Sequence, residues 1–482
     1  MGESPLFLAP NDPEPEALAT RRVRKRRRSA ETAMSNADSP STPLAGPDEV
    51  TDELPLLVEP AEGVPSLIDT FADLEQAAGK LSGSSEPVAV DTERAQGRTY
   101  GSAAYLVQIR RGDVGTFLID SHLLPDLSVL SRTLDAEWIL HAADQDLACM
   151  QDLGLRPSSI FDTEIAARLL GSQHFGLGAL TEEYLGIRLK KNHQNEDWST
   201  RPLPKDWLAY AALDVELLPQ LREVLTSRLE ESDRWAWAEQ EFDYELRAPL
   251  APKPNHWRNL KGIGKLRRPE ELAVARELWR EREEIAKDTD TAPGRVLTPS
   301  AIIEASLSRP ASKRELLQIN DFKRPVARRN IDSWWHAATR AYDLPAGAYP
   351  ARSAADPYSV PAAGQWKRID PVAAERLTEV REAVASIAEP LKVAPDVVLS
   401  AKVQRALAWW PLNREVPTPE HPSPKRIELK TKAQFIDAAI QRLEQAGARP
   451  WQRDLFRSYL DSFNDPLPNV RAASPRPPRV TA

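Results

Sequence analysis

Apolar and polar positions change regime several times along this chain. Up to residue 62 the sequence is dominated by Pro, Ala, Ser, Glu and Asp with almost no aromatic side chains. Such a stretch buries too little apolar area to offset chain entropy and predicts disorder. Near Ser66 a regular pattern begins. Asp69 ahead of Phe71, Leu74 and Leu81 predicts a short capped helix. Pro87-Val-Ala-Val-Asp91 is an apolar run ending in an acid, the pattern of a buried strand. Tyr105–Ile109 and Thr116–Ile119 flank Arg110–Asp113 as the two arms of a hairpin. Ile139–His141 is strand-like and precedes a helix over Asp144–Leu153, closed by Gly154. Helical periodicity covers Phe161–Leu170 and Leu208–Leu229. Strands early and helices late predict a mixed sheet with helices on its faces.

Beyond this unit the period stays helical. Three prolines mark 242–256 as a linker, and Leu260–Tyr342 then reads as helix throughout. Thr298-Pro299 is a cap followed by proline in the first turn, and Ser312 with Glu315 has the spacing of a capping box. A Pro/Ala/Gly stretch over 343–365 is a second linker. Helical spacing returns at Asp370-Pro371 and recurs over Phe435–Leu443 and Leu455–Phe463, before a proline-rich tail at 469–482. The organisation expected is a disordered region 1–62, a mixed α/β domain 63–235, a helical domain 250–345, a linker 346–365, a second helical domain 366–468 and the tail.

Composition sharpens this picture in three ways. At 482 residues a single core is excluded, since cores stop growing near about 250–300 residues. One cysteine, Cys149, excludes an internal disulfide framework and a Cys-rich zinc site; it reads as a core residue. No apolar run is long enough for a signal segment or a membrane span, so the expectation is a protein of a reducing cytoplasm with no membrane partner. The net charge of −8 argues against nucleic acid when taken as an average, but the average hides structure. Lys253–Asp343 holds 19 basic and 13 acidic residues, a local +6, which leaves −14 for the rest of the chain. The run Arg21–Arg28 is a solvated charge block or an RNA-tethering arm.

The chemistry lies in four acids of the first folded unit. Asp91 and Glu93 are two apart on a strand, so they share a face. Asp146 opens the helix after His141, with Asp144 nearby as a helix cap. Tyr210 and Asp214 are four apart on a helix and share its face. Clustered carboxylates repel unless something positive offsets them. Two divalent cations do so, and carboxylate oxygens suit Mg2+ or Mn2+. Such a pair clamps both oxygens of a phosphodiester displacement.

Val88-Ala-Val-Asp-Thr-Glu93, His141-Ala-Ala-Asp-Gln-Asp146-Leu and Tyr210-Ala-Ala-Leu-Asp214-Val resemble the three exonuclease motifs of the ribonuclease D family. Arg98-Thr-Tyr100 with Leu106-Val-Gln-Ile109, Phe161-Asp-Thr163, and Leu189 through Leu203 resemble the intervening segments, over about 70–225. The resemblance implies an RNase H-like α/β exonuclease fold and hydrolysis from the 3′ end that releases nucleoside monophosphates. Carried over, Asp91, Glu93, Asp146 and Asp214 are metal ligands and Tyr210 holds the attacking water. Gln108 and His141 are candidates for substrate contact or structural support; Lys191 and Arg201 are candidates for phosphate contact or surface ion pairs. Leu272–Glu281, Ala286, Leu297 with Ile302, and Ser312–Leu316 resemble the helicase-and-RNase-D C-terminal (HRDC) domain, and 366–465 occupies the place of a second such domain. Trp409-Trp410 there reads as core packing rather than a base-stacking platform. The implied substrate is RNA, in particular the 3′ trailers of tRNA precursors and other small RNAs. The alternatives are a DNA-directed 3′–5′ exonuclease of the same class and a non-catalytic RNA-binding adaptor.

Overall fold

The computed structural model describes residues 54–462 apart from Gln96, Lys191, Asn192, Gln194, 249–255, 352–357 and Pro424. The basic run Arg21–Arg28, the candidate Lys191 and the tail 469–482 lie outside the described residues. No described helix is long and apolar enough to cross a membrane.

The strands are β1 (Leu56–Leu57), β2 (Leu67–Ile68), β3 (Val88–Arg94), β4 (Ala104–Arg111), β5 (Gly115–Ile119), β6 (Glu137–Leu140), β7 (Ser159–Asp162) and β8 (Arg188–Leu189). Six of them build one mixed sheet in the order β2-β5-β4-β3-β6-β7. The β3–β4 and β4–β5 pairs are antiparallel, while β3–β6 and β6–β7 are parallel. Val88, Val90, Val107 and Ile109 feed the main core, which helices α1 (Phe71–Leu81), α2 (Leu147–Asp152) and α3 (Thr163–Leu170) help to close. The other face is covered by α4 (Lys205–Glu216), whose buried Ala211 and Ala212 lie against Leu106 and Leu118. Small residues there let the helix approach the sheet closely, which brings its Tyr210 and Asp214 toward β3. Helix α5 (Leu218–Glu231) follows and returns to the main core through Leu218, Leu221, Leu225 and Leu229.

Several expectations change. Thr70, not Asp69, caps α1, its hydroxyl accepting from the Asp73 amide. Residues 54–62 are not uniformly structureless, because β1 pairs in parallel with β8 more than a hundred positions away. Phe161 and Asp162 end a strand rather than start a helix. The helical reading of Leu208–Leu229 divides into α4 and α5 at Leu217, with Pro219 in the first turn of α5. The stretch expected to begin a linker at 242 is instead the end of a helix, α6 (Trp235–Arg247). Its Ala238 and Phe242 are buried in the main core. The prolines at 249, 252 and 254 drew the boundary inward, whereas the apolar face runs up to Leu246.

The remaining helices form two further cores. The first gathers Trp257, Leu278, Ile302, Phe322 and Trp334 around α7 (Pro269–Asp288), α8 (Pro299–Ser308) and α9 (Ile331–Tyr342). Thr298 and Ser312 cap their helices through their hydroxyls. The second gathers Val384, Leu399, Leu443 and Phe456 around α10 (Pro371–Leu391), α11 (Ala401–Trp409), α12 (Lys432–Gln445) and α13 (Pro450–Asp461). Trp409 packs 4.9 Å from the fully buried Trp366, and the backbone carbonyls of Trp409 and Trp410 accept from Arg376 and Arg442.

This last unit sits on the first. Trp451 stacks on Trp237 at 4.7 Å and belongs to the main core, and Arg449 pairs with Glu241. A buried tryptophan of this kind contributes about 3–5 kcal/mol, against about 1 kcal/mol for each polar contact around it, so the ring decides the docking. Gly171, in the left-handed region at φ +91°, would place a Cβ 2.2 Å from the Lys392 carbonyl, so only glycine permits this approach.

Candidate active site

Alternation along β3 sends Asp91 and Glu93 to the face under α4, and helical spacing brings Asp214 and Tyr210 to meet them. Oxygens of the Asp91, Glu93 and Asp214 carboxylates all lie within 4.8 Å of one another. Burial, followed by the nearby Asp146 and Asp214 charges, holds Asp91 well above the usual carboxylate range. Burial and then Asp91, Asp214 and Asp146 push Glu93 up to about 10. Burial pushes Asp214 up to about 7, against the hydrogen bond that the Tyr210 hydroxyl donates to it. Burial and the same carboxylates raise Tyr210.

Asp146 is close enough to act on all three charges but is not one of the three clustered carboxylates. It is 3 % exposed, and Thr92, on the opposite face of β3, donates to its Oδ1 at 2.5 Å. Arg94 stands 3.6 Å from the same oxygen and donates to the Gln145 carbonyl. Burial pushes Asp146 up to about 6, with the Thr92 bond and Arg94 pulling the other way. Cys149 is buried beside it, its thiol donating to the Asp146 carbonyl. Asp144 is exposed and caps nothing; the residue at the cap position of α2 is Asp146, whose side chain serves Thr92 instead.

The loop between β6 and α2 is held by a residue that sequence reasoning treated only as part of a resembling segment. Asp162 is buried and accepts from four backbone amides, those of Ala142, Ala143, Glu164 and Ile165. It thereby fixes the left-handed Ala142, at φ 60°, and the start of α3. A strand-end Asp ahead of Thr-Glu is the signal that marks it, since Asp is a strong helix cap.

Of the other described candidates, His141 and Arg201 are engaged by neighbouring groups and Gln108 is buried. Gln108 is fully buried, directly opposite Asp91 in the β3–β4 register, and neither amide atom has a partner among the described residues. It therefore flanks Asp91 on the face under α4. His141 bonds through Nδ1 to the Thr163 hydroxyl at 2.9 Å; that hydroxyl donates to Leu140, so the imidazole is the donor. Burial lowers its pKa, keeping the ring neutral. Of the readings open to Arg201, the structure shows the ion pair. Its guanidinium forks onto the buried Asp120 at 2.7 Å twice and donates to the Trp198, Thr200 and Tyr105 carbonyls, so every donor is engaged.

An all-oxygen cluster whose members raise one another's pKa fits a hard divalent cation, because such a charge offsets the repulsion, which Arg94 opposes only in part at Asp91 and Glu93.

Comparison with known proteins identifies the domains. Residues 65–230 match the family model of the 3′-5′ exonuclease domain, 271–337 that of the HRDC domain, and 359–462 that of the 3′ to 5′ exonuclease C-terminal domain. The chain is 33% identical to ribonuclease D of Pseudomonas paraeruginosa over 328 residues, 66% of this chain and 83% of that one. It is 32% identical to ribonuclease D of Desulfotalea psychrophila over 52% of this chain and 69% of the relative. A crystal structure of a protein from Bifidobacterium adolescentis superposes with a TM-score of 0.73 at 34% identity, covering 85% of this chain and 99% of that one. Escherichia coli RNase D shares the fold at a TM-score of 0.59 and 21% identity, over 80% and 99% of the two chains.

Proposed function

The chain belongs to the ribonuclease D family of 3′–5′ exoribonucleases, and from that premise we propose that it trims the 3′ ends of small structured RNAs, tRNA precursors among them, with two divalent cations. The observation that carries the reading is the meeting of Asp91, Glu93 and Asp214 beneath Tyr210. Water adds to the terminal phosphodiester phosphorus, the bond to the upstream O3′ breaks, and that oxygen leaves with a proton as a new 3′ hydroxyl. A nucleoside 5′-monophosphate is released. Asp91, Glu93 and Asp214 would hold Mg2+ or Mn2+, with Asp146, which accepts from Thr92 and stands 3.6 Å from Arg94, as the fourth acid beside them. Bound cations supply the positive charge that developing phosphoryl charge requires. Tyr210, kept protonated by burial and by the acids around it, orients the water.

Substrate grip is assigned to the first helical module. Lys323, Arg324, Arg328 and Arg329 are exposed there, and none pairs with an acid among the described residues. This is a surface that phosphates complement. Family membership favours RNA over DNA as its partner.

A digestion of matched 3′-labelled RNA and DNA with Mg2+ or Mn2+ tests this reading. Stepwise release of monophosphates from RNA, faster than from DNA, is the expected result. No shortening of either strand with either ion overturns the enzyme reading; faster DNA digestion overturns the substrate. Asp146→Asn should abolish turnover and Asp144→Asn should spare it. Replacing the four basic residues with Gln should lower the salt slope of RNA binding by about 3.

A further inference from the structure

Arg98, in the segment Arg98-Thr-Tyr100 that follows the first acidic motif, touches two other parts of the molecule at once. Outward, the loop 97–100 meets the first helical module. The Ala292 amide donates to the Arg98 carbonyl at 2.9 Å, Arg295 donates to the Gly97 carbonyl at 2.7 Å, and the Tyr100 amide donates to Asp290 at 3.0 Å. The Tyr100 ring packs against the core of that module. Inward, the Arg98 guanidinium donates to the Asn195 carbonyl at 3.2 Å and stands 3.8 Å from the Asp197 carboxylate.

The inward contacts reach the segment that leads into α4. Trp198 is fully buried and packs on Trp207 at 5.3 Å. Trp207 lies 6.0 Å from the His193 ring, and His193 meets the edge of Tyr210 at the same distance. His193 is itself constrained, with φ at 66° and its nitrogens 3.4 Å from Glu196 and Asp206. A continuous set of packed groups therefore runs from the turn 289–295 of the module, through loop 97–100, to the tyrosine of the site.

We propose that Arg98 is a positioning residue through which docking of the helical module sets the placement of Tyr210. This rests on the exonuclease reading, and it gives the module a second task besides holding RNA. The two halves of the joint are separable. Arg98→Ala removes only the inward contacts, since the outward bond of this residue uses its carbonyl. Asp290→Ala and Arg295→Ala remove only outward ones.

The test uses the full chain and a ribodinucleotide, which offers one scissile phosphate and no upstream backbone for the module to grip. Arg98→Ala should lower kcat roughly 10- to 100-fold, the scale of a small misplacement of a reacting group, with KM changed less than about threefold. Arg98→Lys should restore part of the rate. Arg295→Ala should lower kcat too, and the double variant should be no slower than the worse single one, the signature of coupled sites. Amide hydrogen exchange at 195–200 should speed up in Asp290→Ala and Arg295→Ala. A rise in KM with kcat intact in Arg98→Ala overturns the proposal in favour of substrate contact. Unchanged exchange at 195–200 in both outward variants also overturns it. If the unsubstituted chain degrades no oligonucleotide, the exonuclease reading fails and exchange alone decides the joint, in either direction.

Discussion

Asp91, Glu93 and Asp214 crowd their carboxylates at the end of β3, whereas Glu271, Glu277, Glu281 and Glu283 of α7 are each matched with an arginine. Glu277 bonds Arg276 at 2.8 Å and Arg280 at 3.0 Å, Glu283 bonds Arg282 at 2.7 Å, and Glu281 bonds Arg340 at 2.8 Å. The consequences for charge are opposite. Burial pushes Glu271 up, but the amides of Arg268 and Arg267 and the Arg268 guanidinium more than offset it, and it ends below its ordinary value. The three acids of the site end above theirs. Both regions are helix or strand surfaces rich in acids. The difference teaches that unneutralised charge is retained where an ion has work to do and is cancelled locally where the acid only shapes a surface.

The sharpest way to break this contrast is to neutralise one acid from each region. Asp214→Asn should lower kcat on RNA by roughly 10³-fold, while Glu277→Gln leaves it unchanged. In chelator the same Asp214→Asn should raise the melting temperature, because it removes repulsion. A fall in metal-free melting temperature would mean that the cluster is not under electrostatic stress.

Arg201 separates structure from substrate binding. Arg201→Met leaves the buried Asp120 charge unpaired and should lower unfolding free energy by about 3–5 kcal/mol, measured by denaturant titration. A normal midpoint with weakened RNA binding would restore Arg201 as a phosphate contact.

The pH response should differ with and without metal. Asp146, Asp214 and Glu93 have native values of about 6, 7 and 10, all above their unfolded ones. Over the window from the ordinary carboxylate range up to about 10 the native state binds more protons than the unfolded state. Metal-free stability should therefore fall as pH rises through that window, and Mg2+ or Mn2+ should flatten the fall. Calorimetric scans at several pH values decide it; a metal-free stability that rises with pH contradicts the site electrostatics. The smallest effect belongs to the other region, where Glu277→Gln should remove about 1–2 kcal/mol of stability, read from its denaturation midpoint.

Much of the site was legible because it obeys local periods. Two positions on a strand put Asp91 and Glu93 on one face and four on a helix do the same for Tyr210 and Asp214; that the two pairs meet was legible only from the resemblance to the ribonuclease D motifs. What escaped depends on partners far away in sequence. Arg201 reads as a surface cation until Asp120, eighty-one positions earlier, is placed beside it. Gln108 reads equally as a substrate contact or a structural residue until its burial opposite Asp91 is seen. The pairing of Asp146 with Thr92 across fifty-four positions has no periodic signature either. The same limit applies to the fold. The β4–β5 hairpin and the caps Thr298 and Ser312 announce themselves, but the caps of α1 and α2 do not, β1 takes its order from β8, and α6 continues past the point where composition predicts a linker.

Trp451 carries a consequence in time. It fills the main core and stacks on Trp237, so the nuclease domain is completed by a residue made about 200 positions after α6 ends. At about 5–20 residues per second, a ribosome needs roughly 10–40 s to cover that distance. Throughout that interval the nascent domain exposes Trp237, Gln240 and Glu241 with no partner from α13. The catalytic unit is thus finished only once α13 has been made, which ties its maturation to synthesis of the second helical unit.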